Sequence, residues 1–175
     1  MNSKHILLVE DDPRDVEMTL AALEDHHLAH KVLVVNDGEQ ALDYLYCRGR
    51  FKTRSGGNPV VVLLDNKMPK VDGLEVLKTI KSDEHLKVIP IVVLTSSRET
   101  SDLVEFYKYG VNAYVVKPVI FSEFMDAIKL LGVFWAGLNE PAQSAGAGKP
   151  PLAATSAVGA SAAAGSGNSA GHLAA

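Results

Sequence analysis

Five short apolar runs, rich in β-branched residues, recur through the first 140 residues of the chain. Apolar side chains occupy consecutive positions in them, without the alternation typical of a strand that has one face in water. Uninterrupted runs of this kind are typical of strands buried on both faces, as in a parallel sheet covered by helices. The runs lie at residues 5–10, 31–36, 60–65, 89–95 and 113–117.

Segments with a helical spacing of apolar positions lie between and after these runs. The first opens with Asp12 and Pro13, a capping residue followed by a first-turn proline. In the fourth, Leu103 and Phe106 are the predicted inward positions, and Gly110 is the predicted stop. The alternation of strand and helix predicts the fold class: an α/β protein with a doubly wound, five-stranded parallel sheet and right-handed crossovers.

The composition changes at Pro141. From there to Ala175 the chain is almost entirely Ala, Gly and Ser, and Lys149 carries the only formal charge. Such a segment cannot bury enough apolar surface to offset the entropy that is lost on ordering. The sequence therefore predicts one folded domain over residues 1–140 and an Ala/Gly/Ser-rich disordered tail over residues 141–175.

Composition and charge narrow the class of protein. The chain has 175 residues, a formal net charge of -4 and a single cysteine, Cys47. An acidic net charge argues against non-specific nucleic-acid binding, which needs a basic face, and one cysteine cannot form an internal disulfide framework. No apolar run approaches the roughly 18 residues of a membrane span. We therefore expect a cytoplasmic protein with neither a nucleic-acid partner nor a membrane partner.

Polar side chains stand where four of the apolar runs end. The first run ends in Glu10 and Asp11, the third in Asp65, the fourth in Thr95 and the fifth in Lys117. In doubly wound sheets, ligands bind beyond the carboxyl ends of the strands. Any one of these residues has an ordinary structural explanation, but acids, a hydroxyl and a lysine on one rim are rarely a coincidence. The sequence therefore predicts a functional site at this rim.

The residue types at the rim favour phosphoryl chemistry. Three carboxylates that converge, from Glu10, Asp11 and Asp65, repel one another and call for a divalent cation, for which oxygen ligands suit Mg²⁺. Lys117 supplies a point charge suited to phosphate, and Thr95 supplies a hydroxyl. Phosphoryl transfer needs little more than a nucleophile in line and cations around the phosphoryl oxygens, and a carboxylate can be that nucleophile. Asp65, on the third run, is the predicted phosphoacceptor.

Four motifs, "ILLVEDDP", "LLDNKMPKVDG", "VVLTSS" and "AYVVKP", resemble the receiver domains of two-component response regulators, the CheY-like (flavodoxin-like) fold. The resemblance spans roughly residues 4–135 with every motif in order, and it implies the strand order 2-1-3-4-5. It implies a phosphoprotein that forms an aspartyl phosphate on Asp65, with Mg²⁺ as the cofactor. The implied metal ligands are Glu10, Asp11, Asp65 and the backbone carbonyl of Lys67.

The resemblance also implies how the signal is read. Thr95 would be the switch hydroxyl, Tyr114 the aromatic residue that moves with it, and Lys117 the phosphate-binding lysine, followed by a cis bond to Pro118. Such a protein is not an enzyme in the ordinary sense, because it assists only its own phosphoryl transfer and dephosphorylation.

A narrower resemblance rests on the long segment "YCRGRFKTRSGGNP", on "IPIVVLTSS" and on the ending "LLGVFWAGLNEP". These look like the single-domain regulators of phytochrome signalling. The implied partner is a sensor histidine kinase, bacteriophytochromes included. The implied assembly is a homodimer through the fourth and fifth helices or a C-terminal arm, and Phe134 and Trp135 suggest a partner surface.

Two other functions share parts of the pattern. Haloacid-dehalogenase-like Mg²⁺-dependent phosphatases need a second aspartate two residues after the nucleophile, where this chain has Lys67. A flavodoxin-like binding module needs a phosphate loop rich in Ser, Thr and Gly after the first strand, where this chain has Glu10, Asp11 and Asp12. Both alternatives are therefore disfavoured by residues at the rim itself.

Overall fold

The computed structural model describes residues 4–24, 27–55, 57–117 and 120–141. The predicted tail, apart from Pro141, and the predicted cis bond to Pro118 lie outside the described residues. Within the described ranges, no helix is both long enough and apolar enough to cross a membrane.

Five parallel strands form one sheet in the order β2-β1-β3-β4-β5, as predicted. The order reverses between β1 and β3, which is the point at which doubly wound sheets bind their ligands. The strands are β1 Ile6–Val9, β2 Val32–Val35, β3 Val61–Asp65, β4 Ile91–Thr95 and β5 Ala113–Val116.

In the part of the chain that the structure describes, five α-helices connect and cover the strands. They are α1 Pro13–Glu24, α2 Gly38–Leu45, α3 Gly73–Ser82, α4 Thr100–Lys108 and α5 Phe121–Gly132, and a π-helical segment, Val133–Leu138, extends α5. Short polar side chains fix where three of the helices begin. The carboxylates of Asp12, Asp37 and Asp72 accept hydrogen bonds from the backbone amides of Arg14, Gln40 and Glu75 respectively, at 2.7–2.8 Å.

The sheet separates two apolar cores. Successive side chains of a strand point to opposite faces, so Leu7 and Val9 of β1 belong to the core beneath α2, α3 and α4. Ile6 and Leu8 belong to the core beneath α1 and α5, together with Phe124 and other residues of these helices. Every residue of β1, β3 and β4 is buried, which confirms the predicted two-sided burial for the inner strands.

The edges of the fold differ from the prediction. Phe106 is the one buried residue of α4, while Leu103, predicted to face inward, is 37% exposed. Each residue of β5, an edge strand, is only half-buried. At the end of the domain, in the π-helical segment, Trp135 is half-buried and packs against the α1/α5 core, so of that pair Phe134 alone is exposed.

Candidate functional site

The carboxyl ends of the four strands β1, β3, β4 and β5 bring the predicted residues to one rim. Glu10 directly follows β1, Asp65 is the last residue of β3, Thr95 is the last residue of β4, and Lys117 directly follows β5. The parallel register sets Asp65 opposite Leu94, one residue before Thr95, and sets Thr95 opposite Val116, one residue before Lys117. The strand register therefore fixes these side chains as neighbours.

Three carboxylates converge at this rim. Glu10, Asp11 and Asp65 each offer an oxygen atom, and the three oxygens lie within 4.8 Å of one another. Glu10 and Asp65 are buried, whereas Asp11 is exposed, so the cluster opens to solvent on one side. An all-oxygen, anionic donor set fits a hard divalent cation such as Mg²⁺ or Mn²⁺, and it does not fit a thiophilic metal.

Lys117 forms ion pairs with two of these carboxylates, Glu10 and Asp65, and with a further one, Asp15. Its ammonium nitrogen lies 2.8 Å from Glu10 Oε2, 2.8 Å from Asp65 Oδ1 and 2.5 Å from Asp15 Oδ2. An ammonium group has three N–H donors, and each of these three carboxylates can accept one of them. The sequence does not predict a role for Asp15, which lies in the first turn of α1, because the helix dipole already explains an acid at that position.

Burial and charge act against each other on these groups. Burial raises the pKa of Glu10 to about 7, although its hydrogen bond and charge interaction with Lys117 act in the opposite direction. Burial disfavours the charged form of Lys117, but its hydrogen bonds to Asp15, Asp65 and Glu10 outweigh that effect and raise the pKa of its ammonium group. The rim thus holds a permanently charged lysine beside a carboxyl group that titrates near neutral pH.

Thr95 and Tyr114 lie beside this cluster. The hydroxyl oxygen of Thr95, a buried residue, accepts a hydrogen bond of 3.0 Å from the backbone amide of Ser97. The hydroxyl of half-buried Tyr114 donates to the carbonyl oxygen of Ser97 at 3.5 Å, and its ring lies 5.6 Å from the ring of Phe106. Ser97 in turn donates its own hydroxyl to Asp102 of α4 at 2.8 Å. These contacts couple the end of β4 to α4 and to β5.

Lys67 lies in the loop that follows Asp65. Its backbone amide donates to Asp65 Oδ2 at 2.8 Å, and its side chain is exposed. The Lys67 amide and the Lys117 ammonium therefore contact different oxygens of the Asp65 carboxylate, and together they orient it. The role of the Lys67 carbonyl oxygen as a metal ligand stays a prediction.

Comparison with known proteins identifies the family. The response regulator receiver domain family matches residues 6–129. The chain is 39% identical over 137 residues to the probable methanogenesis regulatory protein FilR2 of Methanothrix harundinacea. This alignment covers 77% of this chain and 84% of FilR2. It is 34% identical over 132 residues to the response regulator Rcp1 of Synechocystis, which covers 75% of this chain and 88% of that protein.

Solved structures agree with this assignment. The phosphorylated cyanobacterial phytochrome response regulator RcpA superposes with a TM-score of 0.74 at 37% identity, over 80% of this chain and 99% of its own. The Mn²⁺-bound form of Rcp1 superposes with a TM-score of 0.73 at 33% identity, over 79% of this chain and 98% of the Rcp1 chain. The bacteriophytochrome response regulator AtBRR superposes with a TM-score of 0.63 at 62% identity, over 78% of this chain and 98% of the AtBRR chain.

These matches favour neither the phosphatase nor the flavodoxin-like alternative. The CheY-like strand order, the acidic cluster at its switch point and the match over residues 6–129 agree with one another. The chain therefore belongs to the response regulator receiver domain family and is a response regulator of two-component phosphorelay signalling.

Proposed function

We propose that Asp65 accepts a phosphoryl group from a phosphohistidine of a sensor histidine kinase. The observation that carries the proposal is the arrangement around Asp65: three carboxylate oxygens lie within 4.8 Å of one another, and Lys117 lies 2.8 Å from Asp65 itself. We further propose that Glu10, Asp11, Asp65 and the backbone carbonyl of Lys67 hold Mg²⁺. When bound, the cation neutralises the carboxylates and the phosphoryl oxygens that would otherwise repel each other.

The chain's own residues have separate roles in this transfer. A carboxylate oxygen of Asp65 attacks phosphorus, a P–O bond forms, the P–N bond to the donor imidazole breaks, and the imidazole leaves with that electron pair. Lys117 donates an N–H to an oxygen of the transferred group, for which its position beside Asp65 Oδ1 is suited. The Lys67 amide holds the other carboxylate oxygen in place.

The conformational switch follows from the contacts of Thr95. The contact with the Ser97 amide uses the Thr95 oxygen as an acceptor, and the Thr95 side chain also interacts with the Tyr114 hydroxyl, so a hydroxyl that turns to a new acceptor changes its contact with Tyr114. We propose that the hydroxyl turns to a phosphoryl oxygen on Asp65, and that Tyr114 then moves with the Ser97 segment to which it is hydrogen-bonded. The change would be read at α4 and β5, the elements that these residues connect.

A small acyl phosphate tests the acceptor directly. Incubated with acetyl phosphate and Mg²⁺, the wild-type protein should gain the mass of one phosphoryl group, and Asp65→Asn should gain none. Asp126→Asn, an exposed aspartate of α5, is the matched control and should behave as wild type. Equal labelling of Asp65→Asn and wild type would refute the assignment. Multiple turnover of an unrelated phosphate ester would refute the proposal that the protein acts only on its own phosphoryl group.

The kinase partner is proposed from the relatives. RcpA and AtBRR are described as phytochrome and bacteriophytochrome response regulators, and AtBRR is 62% identical to this chain. We propose that the donor is a phytochrome-type sensor histidine kinase. The test is transfer of labelled phosphate from autophosphorylated kinases. A phytochrome-type kinase should label the protein within seconds, and a histidine kinase from another system should need far longer. No preference between the two would contradict the proposal.

A homodimer is proposed from the exposed apolar side chains of the α4/α5 face. These are Leu103, Val104, Tyr107, Ile120 and Phe121. Large apolar side chains that stand exposed on neighbouring elements are typical of protein interfaces. A C-terminal arm that exposes Phe134 and Leu138 is the alternative interface. Light scattering of Val104→Glu and Leu138→Glu distinguishes the two interfaces by which variant becomes monomeric, and a monomeric wild-type protein at high concentration would refute both.

A further inference from the structure

The loop between β3 and α3, residues 66–72, is packed closely against the end of β3. The amide of Gly73 donates to the Asn66 carbonyl at 2.8 Å, which closes the loop at its base. A Cβ atom placed on Gly73 would lie 2.3 Å from the Asp65 carbonyl oxygen, so only glycine allows this approach. The loop carries Lys67, whose amide holds Asp65 and whose carbonyl is a proposed cation ligand.

Lys70 lies at the tip of this loop in an unusual conformation. Its φ angle is 67°, in the left-handed region that residues with a side chain rarely adopt. A non-glycine residue persists there when its surroundings hold it. The Lys70 side chain has two anionic partners that can hold the residue in this conformation. Its ammonium nitrogen lies 2.8 Å from Asp37 Oδ2 and 3.1 Å from Glu39 Oε2.

Asp37, the buried partner of Lys70, is itself held by hydrogen bonds. Asp37 is buried, its Oδ1 caps α2 by accepting from the Gln40 amide at 2.7 Å, and its Oδ2 also accepts from Gln40 Nε2 at 2.9 Å. The backbone of the β3–α3 loop also lies close to the start of α2: a Cβ atom placed on Gly38 would lie only 2.3 Å from the Val71 carbonyl oxygen. The loop that carries the candidate cation ligand is thus fastened to the first turn of α2.

We propose that Lys70 is a positioning residue for the cation site. Its ion pairs with Asp37 and Glu39 hold the β3–α3 loop in place and so fix the position of the Lys67 carbonyl. The inference rests on the proposed function. Outer groups that orient metal ligands contribute to metal affinity without touching the metal. An ordinary exposed ion pair would contribute little. This one differs because one partner is buried and the other is held in a left-handed backbone conformation.

The test separates the side chain from the backbone conformation. Lys70→Asn and Lys70→Gly both tolerate the positive φ angle but remove the ammonium group, whereas Lys70→Arg keeps a cation. Lys87→Asn, which removes an exposed ion pair with Glu84 at 2.7 Å, is the matched control. The first measurement is the Mg²⁺ dissociation constant by calorimetry without a phosphodonor. The second is amide hydrogen exchange of residues 66–72 in the metal-free protein.

We expect Lys70→Asn and Lys70→Gly to bind Mg²⁺ about threefold more weakly, with exchange in the loop accelerated by a similar factor. Lys70→Arg and Lys87→Asn should stay close to wild type. The phosphorylation rate at saturating Mg²⁺ should change little in all four, because Asp65 and Lys117 are untouched. Wild-type affinity and exchange in Lys70→Asn would overturn the role of Lys70, and so would equal weakening in Lys70→Arg. A wild-type protein that binds no Mg²⁺ would instead refute the proposed function itself.

Discussion

Removal of the Lys117 ammonium is the sharpest test of the electrostatics at the rim. Lys117→Met keeps most of the side-chain volume but leaves Glu10, Asp15 and Asp65 without the cation that pairs with all three. The side chains of Lys117, Glu10 and Asp65 are only 14%, 4% and 10% exposed, so solvent compensates them poorly. We therefore expect the metal-free variant to be destabilised far more than the loss of a surface ion pair would produce.

The structure sets the size of this effect. Breaking a buried ion pair by removing one partner costs about 3–5 kcal/mol. The rim opens to solvent beside Asp11, so we take the lower end, about 3 kcal/mol. With a urea m-value of about 2 kcal/mol/M, the unfolding midpoint should fall by about 1.5 M. Mg²⁺ should then stabilise the variant more than the wild type, because no ammonium group competes with the cation for Glu10 and Asp65. At 100 times the dissociation constant the gain is about 2.7 kcal/mol.

Urea titrations at pH 8, with and without Mg²⁺, measure both quantities. Lys78→Met is the matched control: its ion pair with Glu105, at 3.4 Å, joins side chains that are 38% and 48% exposed, and its loss should cost about 0.5 kcal/mol at most. The reasoning fails if metal-free Lys117→Met is as stable as Lys78→Met, or if Mg²⁺ stabilises it less than it stabilises the wild type.

Burial raises the pKa of Glu10 to about 7, so the folded state binds a proton that the unfolded state has released. Relative to Glu10→Gln, the metal-free wild type should therefore lose about 2 kcal/mol of stability as the pH rises from 5 to 7. Its Mg²⁺ affinity should weaken below pH 7, because the proton competes with the cation for Glu10. Parallel curves of unfolding free energy against pH for the two proteins would contradict this prediction. Gly73→Ala should lower the urea midpoint strongly, since its Cβ would lie 2.3 Å from the Asp65 carbonyl, whereas Gly137→Ala, with open space around it, should not. Lys67→Ala should change the lifetime of the phosphorylated form, measured by loss of label, because Lys67 lies two residues after Asp65 with an exposed side chain that could reach a phosphoryl group there. An unchanged decay rate would exclude that contact.

The sheet was predictable because each strand carries its own signal. The five apolar runs contain all five strands, and the predictions exceed the observed strands by one or two residues at the ends. Helix burial was less predictable. The spacing of Leu103 and Phe106 defines one stripe of α4, but the width of the buried stripe depends on the neighbours, and only Phe106 reaches the core.

The site was predictable as far as strand ends determine it. Glu10, Asp65, Thr95 and Lys117 meet because parallel strands end at a common rim, which a single sequence reveals. Asp15 and Lys70 belong to a helix and to a loop tip, and their contacts depend on how those elements pack across the sheet. Asp37 follows the second apolar run, and nothing local indicates that its carboxylate is buried and shared between α2 and the β3–α3 loop.

Lys117 is also the last of the rim residues to be synthesised. A nascent chain that has left the ribosome as far as α4 already carries Glu10, Asp11, Asp65 and Thr95, but it lacks the ammonium group that compensates the acids and the edge strand that pairs with β4. Until β5 is synthesised, the acids that form the rim therefore have no Lys117 to compensate them. A truncated product that ends before β5 would keep the acceptor and lose the group that balances it, so such a fragment should compete poorly with the complete protein for phosphoryl groups.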